Sequence, residues 1–192
     1  LVTSASSLVK DAFEKLKAKE EMITAFVATK CLATKSNPSI LSLNYFGIFV
    51  KHVISTNSFE KNIIPGLEKA ALRNSELTFA IFSPSIFKFL NYSTINVCDI
   101  VSKSKYFTQL FSSLKASKET VRVGASETLS TILKNTSDTT SILQFVDELF
   151  KILKGITSSA VEQKILVLNA LNSIPVIYTS ATTKILDLIV PY

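Results

Sequence analysis

The stretch Ser117–Asn135, SKETVRVGASETLSTILKN, decides how the chain is read. Val121, Ala125, Leu129, Ile132 and Leu133 recur at helical spacing and share one face. Ser117 suits the N-cap, and Glu119 suits the positive end of the helix dipole. Small Gly124 and Ala125, beside Val121 and Arg122, let a neighbouring helix come close, and Asn135 and Asp138 end the element. One such helix cannot bury its stripe alone, so its flanks must supply partners.

Downstream, Thr139–Lys154 carries Ile142, Val146, Leu149, Phe150 and Leu153, and Gly155 is expected to stop it as a left-handed cap. Ser159–Ile174 pairs with it through Val161, Ile165, Leu168 and Leu171, and Thr179–Tyr192 begins another helix. Upstream, Asn96–Leu114 brings Val97, Ile100, Val101, Phe107, Leu110, Phe111 and Leu114. Before it, Ser58–Leu72 carries Phe59, Ile63, Ile64, Leu67 and Ala71, with Asn57 and Glu60 as a capping pair. Pro65 removes a hydrogen bond inside that helix and should bend it, and its partner Ser75–Leu90 should be kinked or split at Pro84. Glu20–Thr34 pairs with Ile40–Ile54 across the break Ser36-Asn37-Pro38.

Helix pairs therefore begin near residues 20, 58, 97, 139 and 180, an interval of about 40 residues, within the range of HEAT and armadillo repeats. The expected fold is all-α: a HEAT/armadillo-like right-handed solenoid of antiparallel helix pairs. It forms one array over residues 1–192, with repeats at approximately 20–55, 58–92, 97–135 and 139–175, a partial repeat at 180–192, and a leading charged helix at 4–19. The competing reading is an irregular helical bundle with coincidental spacing. Ile64, Leu67, Phe107, Phe111, Leu129, Leu133, Val146, Leu149, Leu168 and Leu171 are the expected core, and Ile185, Leu186, Ile189 and Val190 are expected to be half-covered.

Composition agrees with a helical array. The 192 residues are 47% hydrophobic, enough for a sizeable core, and four glycines with five prolines are too few for a turn-rich sandwich or barrel. Cys31 and Cys98 lack CxxC spacing and read as buried thiols of a reducing, cytoplasmic compartment, a Cys31–Cys98 disulfide being the alternative. No run reaches the ~18–20 apolar residues of a membrane span, and no signal peptide opens the chain. The absence of a starting Met, and ends that read as mid-protein, point to a fragment of something larger.

The residues offer no catalytic, metal or cofactor site. His52 is the sole histidine, which excludes a histidine pair or triad, and it reads as a surface residue. Gly47, Gly66, Gly124 and Gly155 are solitary, so no glycine-rich loop cradles phosphate, and no small-molecule substrate is implied. The net charge of +6 is compatible with nucleic acid or an acidic partner. Its distribution says more. The turns within repeats carry Lys35, Lys69 with Arg73, Lys115 with Lys118, and Lys151 with Lys154, while those between repeats carry no lysine or arginine. Lys35, Arg73, Lys115, Lys118 and Lys154 are thus expected to line one basic rim that binds a ribosome or another acidic partner. The bland reading is that these lysines only complement helix dipoles, worth ~0.3–1 kcal/mol each.

NIIPGLEKAALRNSE (Asn62–Glu76), VDELFKILKG (Val146–Gly155), VEQKILVLNALNSI (Val161–Ile174) and ILDLIVPY (Ile185–Tyr192) resemble, in order and spacing, the amino-terminal region of one family. It is the very large HEAT-repeat, ribosome-bound translational coactivator of general amino-acid control, the activator of the initiation-factor-two alpha kinase. The resemblance spans about Phe59–Tyr192 and rests on repeat-packing residues, so no individual binding residue carries over. It implies a non-catalytic cytoplasmic scaffold that contacts the ribosome, through rRNA or ribosomal proteins, during amino-acid starvation. The kinase would be bound by other parts of the full chain. The alternative function is a generic HEAT-repeat adaptor that holds acidic peptides in transport or complex assembly.

Overall fold

Two prolines govern the middle of the chain. A computed structural model describes residues 11–12, 15, 19–32, 47, 54–73, 75–91, 93–134, 136, 139–175 and 183. Its first long helix is α1 (Glu20–Leu32). Residues 56–73 then run helically through α2 (Thr56–Ser58), a π-helical segment π1 (Phe59–Ile63) and α3 (Ile64–Arg73). Residues 75–90 repeat the arrangement as α4 (Ser75–Leu77), π2 (Thr78–Phe82) and α5 (Ser83–Leu90). In each, the π segment ends two residues before a proline. The Ile64 N–H donates to Phe59 O and the Ser83 N–H to Thr78 O, one residue further back than in an α-helix. The widened turn accommodates the proline, which has no N–H to donate. The sequence leads one to expect a bend at Pro65 and a kink or split at Pro84; the backbone stays helical through both, so the 75–90 helix is not split, and a π turn precedes each proline.

After these come α6 (Val97–Ser102), α7 (Lys105–Ser113), α8 (Glu119–Lys134), α9 (Thr139–Gly155) and α10 (Val161–Asn172). The fold is all-α, with no strand among the described residues. The helices form two rows. In one, α1 touches π1 and α3, α3 touches α7, and α6 and α7 touch α9; in the other, α8 lies between the 75–90 helix and α10. The rows meet where α3 packs on π2, α7 on α8 and α9 on α10.

The core lies between the rows. Phe59, Phe79, Phe87, Tyr106, Leu110, Leu129, Leu149 and Val167 are buried there. The Tyr106 ring stacks on Phe79 at 5.9 Å and on Phe87 at 6.1 Å between centroids. Each such side chain contributes about 1.5–3 kcal/mol by leaving water. The Tyr106 hydroxyl is satisfied within the core by a 2.5 Å hydrogen bond with the Ser83 hydroxyl, and burial pushes its phenol well above the ordinary value. Gly124 makes a close contact between helices: a Cβ there would stand 1.8 Å from the Phe79 carbonyl oxygen. That carbonyl has lost its usual partner, because Ser83 donates to Thr78 and Pro84 has no N–H. The close approach expected of Gly124 is therefore backbone against backbone.

Several expectations need correction. Gly155 is not left-handed, since no described glycine has positive φ, and it stays inside α9. The 96–114 helix is broken at Lys103-Ser104, where Ser104 is extended. A carboxylate from the other side of the interface explains the break: Glu68 Oε1 accepts from the Lys105 and Tyr106 backbone N–H groups at 2.9 and 3.3 Å, capping α7. Ser55, rather than Asn57, caps the 56–73 helix, accepting from Ser58 N at 3.2 Å. Ser117 lies two residues before α8, and its carbonyl takes an Arg122 hydrogen bond at 2.8 Å instead of capping the helix with its side chain. Eight of the ten expected core residues are buried; Phe107 is half-buried and Leu168 is 41% exposed. On α10 the buried set is Val167, Ala170 and Leu171, so Val161, Ile165 and Leu168 form a second, exposed apolar face.

Cys98 is a buried thiol and forms no disulfide. Lys35, His52, most of the helix at 40–54 and of the leading helix at 4–19, and the stripe Ile185–Val190 lie outside the described residues.

Candidate interaction surface

Three turns meet along one side of the molecule. The turn after α3 carries Arg73, the turn before α8 carries Lys115 and Lys118, and the end of α9 carries Lys154; all four cations are exposed. Glu76, just past the first turn, forms an ion pair with Lys118 of the second. Lys115 Nζ reaches to 3.7 Å from where a Cβ on Gly155 would stand, at the end of α9. The structure thus places Arg73, Lys115, Lys118 and Lys154 on adjoining turns.

The rim is less uniformly basic than its lysines suggest. Lys118 is engaged by Glu76, whose carboxyl it holds below the usual value through a hydrogen bond and charge attraction. Lys151 pairs with Glu148 at 2.5 Å on its own helix. Arg122, mostly covered, grips both Glu162 oxygens at 2.8 and 3.0 Å and donates to the carbonyls of Ala116 and Ser117. Arg73, Lys115 and Lys154 make no ion pair among the described residues.

The acids Glu68, Glu76 and Glu162 escaped the sequence reading. A signal for them was present: Glu76 and Lys118 are 42 residues apart, and Arg122 and Glu162 are 40 apart, so each pair is one repeat interval apart.

A second feature opens between α1 and the 56–73 helix. Ala25, Ala28, Thr29 and Leu32 face Lys61, Asn62, Pro65, Gly66, Lys69 and Arg73 across a half-open trough of about 320 Å³. Small residues on both walls leave it unfilled, and no acid lines it among the described residues. Asn62 Nδ2 is buried without a hydrogen-bond partner. Among the described residues no His, Cys, Asp and Glu group could hold a metal, and no helix is long and apolar enough to cross a membrane.

The profile of the family described as "Stalled ribosome sensor GCN1 N-terminal" matches residues 19–161, which hold both the rim and the trough. The chain belongs to the GCN1 N-terminal family. A curated relative, the eIF-2-alpha kinase activator GCN1 of Saccharomyces cerevisiae, is 32% identical over 148 residues. That alignment covers 75% of this chain but 5% of the relative, so the chain corresponds to a small part of GCN1. No solved structure matches the chain.

Proposed function

We propose that the chain is a non-catalytic scaffold segment of a ribosome-associated regulator, built as a HEAT-type solenoid whose rim contacts the ribosome. The observation that carries the ribosome reading is the GCN1 N-terminal family match over residues 19–161. The solenoid reading draws support from the polar ties between helices. Glu20 Oε1 accepts from Ser55 N across 35 residues, Glu68 from Lys105 N across 37, and Leu166 O from the Ser126 hydroxyl across 40. Glu76 and Lys118 are 42 apart, and Arg122 and Glu162 are 40 apart. In a stacked array each residue meets its counterpart about one repeat on, which is the pattern these offsets follow. Two rows of helices, each touching its neighbours in sequence order, fit the same architecture.

In this reading Arg73, Lys115 and Lys154 supply the charge toward rRNA or an acidic ribosomal protein, while Lys118 mainly stitches adjoining turns. Activation of the initiation-factor-two alpha kinase would fall to other parts of the full protein, as would sensing of stalled ribosomes in starvation. The setting is the cytoplasm.

Ribosome co-sedimentation of the full-length protein tests the proposal. Deleting residues 19–175 should reduce the ribosome-bound fraction, and Lys115→Glu with Lys154→Glu should weaken binding most at low salt, about 50 mM, where their charges are least screened. Unchanged sedimentation of both proteins would break it.

A further inference from the structure

We propose that the trough between α1 and the 56–73 helix is a docking site for an extended acidic peptide, with carboxylates against its cations and aliphatic side chains against its apolar surface. The inference goes beyond the rim reading and does not rest on it. The lining residues divide by chemistry. Ala25, Ala28, Leu32, Pro65 and Gly66 supply apolar surface, whereas Lys61, Lys69 and Arg73, all from the 56–73 helix, supply cations. Lys61, Pro65 and Lys69 are successive four-residue steps of one helix, so the cations follow the trough rather than one end of it. From Lys61 to Arg73 the helix rises about 18 Å, the length of five or so extended residues.

Every polar wall group that lacks a partner is a donor. Lys61, Lys69 and Arg73 make no ion pair among the described residues, and the Asn62 amide N–H₂ is buried and unpaired. The Thr29 hydroxyl already donates to Ala25 O at 2.8 Å. Of the acids adjacent in sequence to these lysines, Glu68 is committed to the α7 cap, and Glu60 does not line the trough. A ligand that brings acceptors alone would complete the wall, and carboxylates fit that demand.

Phosphates would satisfy the cations equally, so the apolar surface decides. Among the described lining residues there is no aromatic ring to give a nucleic-acid base a stacking platform, and their apolar surface suits aliphatic side chains better than a sugar–phosphate chain. Aliphatic side chains alternating with carboxylates match both surfaces, because an extended peptide turns successive side chains to opposite sides.

The test is fluorescence anisotropy of the whole chain with a labelled peptide alternating Asp with Leu. A peptide with Ser in place of each Leu and an oligouridylate serve as the other probes. The Asp-Leu peptide should bind and should weaken as salt rises. Lys61→Glu with Lys69→Glu, both exposed positions, should weaken it about tenfold or more. Ala25→Leu, which fills the apolar part of the trough without touching a charge, should weaken it as well, and the Ser peptide should bind less tightly than the Leu peptide. Circular dichroism and melting curves unchanged from the parent would certify that the variants fold. Absence of peptide binding, equal binding of the Ser peptide, indifference to Ala25→Leu, or tighter binding of the oligouridylate would each overturn the proposal. Ribosome co-sedimentation that survives Lys61→Glu and Lys69→Glu would leave the rim reading standing even if the trough failed.

Discussion

Small residues line two successive helix interfaces, with opposite results. Between α8 and the 75–90 helix, Gly124 lets main chain meet main chain, and nothing is left between them. Between α1 and the 56–73 helix, Ala25, Ala28 and Gly66 leave a trough. What faces the small residue makes the difference. Gly124 faces the Phe79 carbonyl, which the widened turn before Pro84 has freed, whereas Gly66 faces the tip of Leu32 and the methyl of Ala28. A missing side chain thus produces close contact where the opposing element can advance, and a void where other contacts hold it off.

The largest expected effect is at Gly124. Gly124→Ala would place a Cβ 1.8 Å from a carbonyl oxygen that no rotamer change can move. It should cost about 3 kcal/mol or more in urea unfolding. A loss under about 1 kcal/mol would show that the two backbones are not in contact. Next come Leu129→Ala and Leu149→Ala, both fully buried, each expected to cost about 2–5 kcal/mol through lost burial and a cavity. Tyr106→Phe should cost about 1–2 kcal/mol, because it leaves the buried Ser83 hydroxyl without its partner; the paired change with Ser83→Ala should cost less than the sum of the two.

Gly66→Ala should be nearly neutral, between about 1 kcal/mol of loss and a similar gain. Its new methyl meets only Leu32 Cδ1, at 2.8 Å, which can swing away, and alanine favours the helix. Equal costs at Gly66 and Gly124 would erase the contrast between the interfaces. The smallest effect is electrostatic. Lys118 lowers the Glu76 carboxyl from its ordinary 4.5, so the pair stabilises the fold above that value. The contribution is lost as pH falls through the lower folded value. Melting temperatures should therefore drop less on acidification in Glu76→Gln than in the parent, and identical acid profiles would show that the pair is idle.

The helix pairs at 56–73 with 75–90, 97–113 with 119–134, and 139–155 with 161–172 were legible because apolar periodicity records burial. The close contact at Gly124 was legible because two small residues, Gly124 and Ala125, stand together in the helix. The phase of α10 was not, since the helix carries two apolar faces and periodicity alone does not say which one a neighbour covers. That cations recur on adjoining turns was legible in their spacing. Their partial neutralisation was not, because Glu76 and Glu162 act on cations 42 and 40 residues away rather than on their own helices. The trough was invisible for a related reason: it belongs to the fit of two helices, and Lys61, Asn62 and Lys69 read singly as an ordinary solvated face.

The contact at Gly124 also bears on the genetics of this chain. A defect such as Leu149→Ala leaves a hole that an enlarged neighbour could fill, so compensating second-site changes should be recoverable among adjacent core positions. The obstacle met by Gly124→Ala is a main-chain oxygen, common to every amino acid that could occupy position 79. No replacement of Phe79 removes it. Suppressors of that substitution should instead arise at Pro84, where a residue with an N–H could donate to Ala80 O, letting the Ser83 N–H return to the Phe79 carbonyl and restore an ordinary helical turn.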